Sequence, residues 1–316
     1  MQRVSVGRGG DFATIGAALS ATDPAQPLTL VLAAQVFEEK IFCEHRSVRI
    51  IGQGMDETVI RWHDGGFHPH PNGRKTGTFR SYTACFDGEL LCMERLTVEN
   101  TAGEGEKHGQ AIALAVYSRT AYVKHVRLKS YQDTLFMGPL PDKERQPDGF
   151  LGPRQFAPRV PSRQYYEACE ILGDVDFIFG GADAVLSRCH IHAVGQRSGF
   201  ACAPSGKASG LGMVFEHCLF SADEPGSLRL ARPWRSEGKA AFLYCETGRA
   251  LADTAFDPWA EQAQTYTFVQ YPAGQTPLFC KEVTEREVRR LEEQSRAHCA
   301  DILGQTALFE GRFVKA

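Results

Sequence analysis

Six short stretches of this chain share one phase, and that phase restricts the fold more than any other feature. They are Leu91–Val98, Ala121–Leu128, Gln164–Ile171, Ala184–Ile191, Gly212–Phe220 and Ala241–Cys245. Each is rich in strand-forming residues and sets polar side chains just before a small apolar one. The small positions are Leu96, Val126, Cys169, Cys189, Cys218 and Cys245, separated by 30, 43, 20, 29 and 27 residues. Irregular repeats near this period point to an all-β solenoid, in which each coil packs only on its neighbours. The aligned residues then stack inward one strand spacing apart, roughly 4.8 Å. Four of the ten cysteines thereby acquire a packing role rather than a redox one.

The outlying separation of 43 has a visible cause. Residues 138–162 carry Pro139, Pro141, Pro147, Pro153, Pro158 and Pro161 with several charges, and are expected to form a long loop inserted between coils. Outside the repeats, Asp11–Leu19 is expected to be a short helix capped by Asp11, and Leu28–Leu32, Val48–Ile51 and Thr58–Ile60 to be strands. Near the other end Thr284 and Glu287 form a capping box. Val288, Leu291, Ser295, Cys299 and Ile302 then follow at helical spacing, with Gly304 ending the pattern. This segment, 281–303, is expected to dock on the solenoid, leaving a single domain over 1–316.

Several classes are disfavoured. The net charge is -3 with basic residues scattered, so no nucleic-acid surface is indicated. No apolar run has the length of a bilayer span or a signal peptide, so the expectation is a cytoplasmic monomer, or a secreted one if a leader belongs upstream. The cysteines form no Cys-x-x-Cys pair, and the loop with His63, His68 and His70 offers no matching ligands. It is read as solvated, with no metal or other cofactor expected. There is no Gly-x-Ser-x-Gly elbow and no phosphate-binding loop.

Chemistry concentrates in four stretches. Asp174-Val175-Asp176-Phe177-Ile178-Phe179-Gly180 embeds carboxylates among β-formers, which is costly unless they are paired or used. Gln110–Leu114, Ser130–Phe136 and Leu230–Trp234 likewise put polar groups among rigid neighbours. In a solenoid, positions one coil apart fall side by side. Gln110 and Gln132, Asp133 and Asp176, and Arg232 are therefore placed together on one face. Taken singly, each has a plain structural reading: backbone-satisfying amides, turn caps, an ion pair.

As a set in this order they resemble the pectinesterase (pectin methylesterase) family. Its pattern stands here as Gln110-Ala111-Ile112-Ala113-Leu114, Gln132-Asp133-Thr134-Leu135, Asp176-Phe177-Ile178-Phe179-Gly180 and Ala231-Arg232-Pro233-Trp234. Ala231 replaces a glycine of that pattern, and Gln35–Glu39 keeps only the glutamate of an early Gly-x-Tyr-x-Glu segment. The resemblance implies a single-stranded right-handed parallel β-helix, pectin-lyase-like, with short N-terminal and C-terminal helices. It implies hydrolysis of methyl esters on a galacturonan polysaccharide or oligosaccharide. By role, Asp176 is then the nucleophile and Asp133 the acid and base. Gln110 and Gln132 are oxyanion donors, and Arg232 holds Asp176 ionised. Phe136, Phe179 and Trp234 are candidates to line the sugar subsites. Competing readings are an inactive β-helix that binds carbohydrate, an esterase or thioesterase for another acyl group, and a pectate lyase, which would need a calcium-binding acidic cluster.

Overall fold

Alternation within short parallel strands builds the molecule. A computed structural model describes residues 1–259, 265–272, 281 and 283–310. The chain coils into a parallel β-helix. One 15-stranded sheet bends to form two faces of the coil, and a 7-stranded sheet forms the third. The third face runs Ile41–Glu44, Ala84–Asp87, Leu114–Val116, Leu135–Met137, Ile178–Gly180, Gly199–Pro204 and Leu228–Ala231, each strand pairing in parallel with the next. Its register stacks Leu114, Leu135 and Ile178. These point into the apolar interior, as do Val116 and Met137. Ala115, Phe136, Phe179 and Ala203 alternate outward and form a second apolar cluster.

The repeated stretches are corners rather than single strands. Arg163–Glu167 and Glu170–Gly173 lie on different faces and meet at Ala168, and Asp183–Ser187 and His190–Ala193 meet at Arg188. The residue before each aligned small position has positive φ: Arg95 58°, His125 50°, Ala168 48°, Arg188 54°, His217 53° and Tyr244 54°. One left-handed residue turns the chain and drives the next side chain inward. Leu96, Val126, Cys169, Cys189 and Cys218 are buried in the main core, and Cys245 is partly buried against it. The thiols of Cys169, Cys189, Cys218 and Cys245 each reach a carbonyl of the preceding coil, at Val123, Tyr166, Leu186 and Phe215. All cysteines among the described residues are free; Cys280 lies outside them.

Two sequence expectations change. The N-terminal helix spans Ile15–Ala21 and is capped by Thr14. Asp11 instead accepts from the Ser5 backbone and hydroxyl. The C-terminal helix spans Glu285–Thr306, so Gly304 lies inside it rather than ending it. Tertiary contact overrides the low propensity of one glycine near a helix end. The capping box at Thr284 and Glu287 forms. Val288 and Ile302 pack with Tyr165, Val185, Val214, Leu243 and Val269 on the outside of the coil. His298 bonds the Gln164 carbonyl, and Arg163 pairs with Asp301 at 2.6 Å. No helix among the described residues is long and apolar enough to cross a membrane.

Residues 138–162 leave the third face and fold back on themselves. Arg159 donates to the carbonyls of Pro141, Arg154, Gln155 and Ala157. Arg154 pairs with Asp87 at 2.6 Å, and Phe150 packs edge-on against Phe79. Both contacts lay the segment over the outer side of the third face.

Candidate active site

Two aspartates occupy the same corner of successive coils. Leu135–Met137 pairs with Ile178–Gly180, so Asp133 and Asp176 each stand just before equivalent strands. Both are in the left-handed region, at φ 67° and 49°. That conformation is unfavourable for a residue with a Cβ and is held here by the ladder. Asp133 N donates to Val175 O at 3.1 Å, and Leu135 N to Phe177 O at 2.8 Å. The strand after Asp176 ends at Gly180, where a Cβ would sit 2.0 Å from Met137 O. Only glycine lets the two coils approach there.

Arg232 follows the strand Leu228–Ala231. Its Nε and Nη2 donate to Asp176 Oδ1 and Oδ2 at 2.8 and 2.6 Å, a two-bonded fork. The guanidinium lies 4.6 Å from the Phe200 ring centre and 4.1 Å from that of Trp259. Rings on this cation and a backbone bond from Arg232 N to Cys202 O fix its direction.

The two carboxyl groups have different environments. Burial pushes Asp133 well above the usual carboxylate range, and the neighbouring charge of Asp176 pushes the same way. Burial raises Asp176 too, but the hydrogen bonds and charge of Arg232 oppose that rise. Arg232 bonds Asp176 as expected, yet burial outweighs the cation and the carboxyl lies above its ordinary value. What survives is an ordering: the group without an arginine fork holds its proton more firmly.

Gln110 and Gln132 line the same cavity. They are not in strict register, since Leu114 pairs with Leu135 and Ala111 N bonds Gln132 O. Among the described residues the Gln110 side chain has no hydrogen-bond partner, although Gly66 lies against its amide oxygen. The Gln132 oxygen accepts from Arg197 Nη1 at 3.4 Å. Arg197 in turn lies 3.7 Å from Asp174 and 3.6 Å from Glu106. With its oxygen engaged, Gln132 turns its NH₂ group away from Arg197. Arg197 sits on a connecting loop in no recognised motif, and nothing in the sequence marks it.

The cavity is about 430 Å³. Phe79, Phe150, Phe179, Trp234 and Trp259 line it, with Arg145, Gln146 and Gly149 from the long loop. Trp234 and Phe179, two of the candidates for the sugar subsites, both line this cavity. Phe136 does not: it is fully buried, 4.9 Å from Phe79 and 5.0 Å from Phe179 between ring centres. It supports the floor and presents no surface to a ligand. Phe79 and Tyr117 cover it, which the alternation of its own strand does not reveal.

The histidine loop is folded rather than merely solvated. Gly66 N and Phe67 N donate to the carbonyls of Gln110 and His108, and His68 Nε2 lies 3.0 Å from His108 Nδ1. Among the described residues no three His, Cys, Asp or Glu side chains are grouped to hold a metal ion.

Comparison with known proteins agrees with this architecture. The carrot pectin methylesterase superposes with a TM-score of 0.73 at 23% identity, over 90% of this chain and 89% of that one. A pectin methylesterase in complex with a hexasaccharide gives 0.71 at 20% identity, over 90% and 94%. In sequence, pectinesterase 31 of Arabidopsis thaliana is 28% identical over 86% of this chain and 81% of its own length. A probable pectinesterase/pectinesterase inhibitor 6 of the same plant is 31% identical over 74% of this chain but only 38% of its own. The family pattern described as pectinesterase matches residues 3–143 and 159–275, leaving 144–158 outside. With that match over most of its length, the chain belongs to the pectinesterase family.

Proposed function

We propose that this site removes methyl groups from methyl-esterified galacturonan, releasing methanol. The observation that carries the reading is the unequal carboxylate pair in one aromatic-lined cavity, one member forked by Arg232 and the other not. Two carboxyl groups whose environments separate their protonation supply a nucleophile and an acid together.

Asp176 attacks the ester carbonyl of a galacturonosyl unit and forms a tetrahedral centre. The NH₂ groups of Gln110 and Gln132 donate to the developing oxyanion. Asp133, protonated, gives its proton to the departing methoxy oxygen, and methanol leaves an acyl-enzyme on Asp176. Asp133, now ionised, takes a proton from water. The hydroxide equivalent adds to the acyl carbon, and collapse frees Asp176 and the uronic acid, whose proton passes to solvent to leave the uronate carboxylate. Trp234 and Phe179 offer apolar ring surface to the sugar. Methanol assayed against methylated oligogalacturonides of defined length tests the reading; no methanol from any of them contradicts it.

Arg232 adjusts the working pH. Only ionised Asp176 attacks, so its protonation sets the acid limb of kcat/KM. Burial raises that group and Arg232 lowers it. Arg232→Gln removes the lowering influence, so the limb moves to higher pH and the active window narrows. A pH profile whose acid limb stays in place would sink this assignment.

Arg197 acts through Gln132 as a positioning residue. Arg197→Ala frees the Gln132 amide to rotate, and kcat should fall by no more than the roughly 10²–10³-fold of one oxyanion donor. KM should change little, and Arg197→Lys should restore part of kcat. Equal losses in both variants, confined to KM, would assign Arg197 to substrate binding instead.

A further inference from the structure

A second constellation stands on a different face of the coil. On the strand His190–Ala193, Ile191 points into the core, so His190 and His192 both point outward. The neighbouring strand Leu219–Ala222 sets Leu219 beside His190 and Ser221 beside His192. Ser221 Oγ lies 2.7 Å from His190 Nε2 and 2.7 Å from His192 Nδ1. On the far side of its ring, His192 Nε2 lies 3.0 Å from Asp223 Oδ1. Asp223 Oδ2 accepts from Gly195 N at 2.8 Å. None of these residues lines the cavity around Asp176, and the methylesterase reading gives them no part.

The proton positions follow from the partners. An ionised carboxylate only accepts, so the proton of a neutral His192 sits on Nε2 and its Nδ1 carries a lone pair. The Ser221 hydroxyl therefore donates to His192 Nδ1, and His190 Nε2–H donates to Ser221 Oγ. The Gly195 N–H, and after it His192, hold the Asp223 carboxyl below its ordinary value. Burial, helped by the charge of His192, lowers His190 and favours its neutral form. A hydroxyl bonded to an imidazole whose other nitrogen is fixed by a carboxylate is an activated nucleophile, on whatever fold it stands.

We propose that Ser221, His192 and Asp223 form a second acyl-transfer site, which hydrolyses small, accessible acyl esters such as acetates. Ser221 Oγ bonds to the ester carbonyl carbon as its proton passes to His192 Nδ1, and Asp223 stabilises the imidazolium. His190 Nε2–H, already within reach of Oγ, turns to the adjacent oxyanion. The bond to the alcohol oxygen breaks, His192 gives that oxygen its proton, and the alcohol leaves an acyl-Ser221. Water then passes a proton to His192 as its oxygen bonds to the acyl carbon. Collapse releases the carboxylic acid and returns the proton to Ser221. Leu219, exposed beside His190, offers apolar surface to a short acyl chain.

The test exposes the full chain to a small fluorophosphonate at neutral pH and maps the adduct by peptide mass spectrometry. Ser221 should be phosphonylated, with fluoride expelled. His192→Gln should slow that labelling roughly 10²–10⁴-fold, the worth of general-base help, and Asp223→Asn should slow it too. Turnover of p-nitrophenyl acetate is followed in Asp176→Asn, where the first site is silent. It should fall roughly 10²-fold or more when Ser221→Ala is added. Circular dichroism checks that each variant is folded, and labelling of the unsubstituted chain needs no variant at all. No adduct at Ser221 would overturn the proposal, leaving the network to pair two strands. Labelling that His192→Gln leaves unchanged would overturn it as well. Neither result touches the methylesterase reading, which is decided on methylated oligogalacturonides.

Discussion

Asp176→Asn should abolish methanol release while leaving oligogalacturonide binding in place. The amide keeps the shape of the side chain but not its charge, so no nucleophile remains to attack the ester. The loss should reach roughly 10⁴–10⁶-fold, the range seen when a nucleophile or its partner is removed from other hydrolases. Binding should persist because the aromatic walls of the cavity are untouched. Arg232 loses its charge partner, so some loss of thermal stability is expected as well; removing one member of a half-buried ion pair leaves the other uncompensated. Calorimetry with a methylated oligomer, beside the methanol assay, separates lost chemistry from lost folding. Near-native turnover in this variant would force the nucleophile assignment to be given up.

The second large effect belongs to Asp133. Asp133→Asn removes both the proton for the leaving methoxy group and the base for the incoming water. General acid and base assistance is worth about 10²–10⁴-fold, and here both half-reactions draw on it. The pH profile distinguishes this residue from Asp176. Because burial and the charge of Asp176 raise Asp133 well above the usual carboxylate range, its ionisation limits activity on the alkaline side. The activity left in Asp133→Asn should therefore lose that alkaline limb and keep the acid limb set by Asp176. Retention of the alkaline limb would mean that another group delivers the proton.

Much of this was legible before the fold was known, for identifiable reasons. The inward stack of Cys169, Cys189 and Cys218 could be read because an inner position of a narrow coil tolerates only small or apolar side chains. Asp133 and Asp176 could be read because a carboxylate among β-formers is expensive unless used. What stayed hidden depends on contacts between distant segments. Arg95, His125, Arg188, His217 and Tyr244 share a left-handed turn but no chemistry, since parallel pairing on both sides imposes it. Phe136 sits in an outward strand position, yet Phe79 and Tyr117 close over it. Arg197 reaches Gln132 across 65 residues. The direction of the Asp176 shift was missed because the sequence reveals the arginine but not the depth of burial.

The most direct test is the product balance of the unsubstituted protein acting on a fully methyl-esterified oligogalacturonide. The account predicts one methanol and one new carboxylate per ester cleaved, with the chain length unchanged and no response to EDTA. Shortened chains with unsaturated ends, dependence on calcium, or carboxylates failing to appear with the methanol would contradict it.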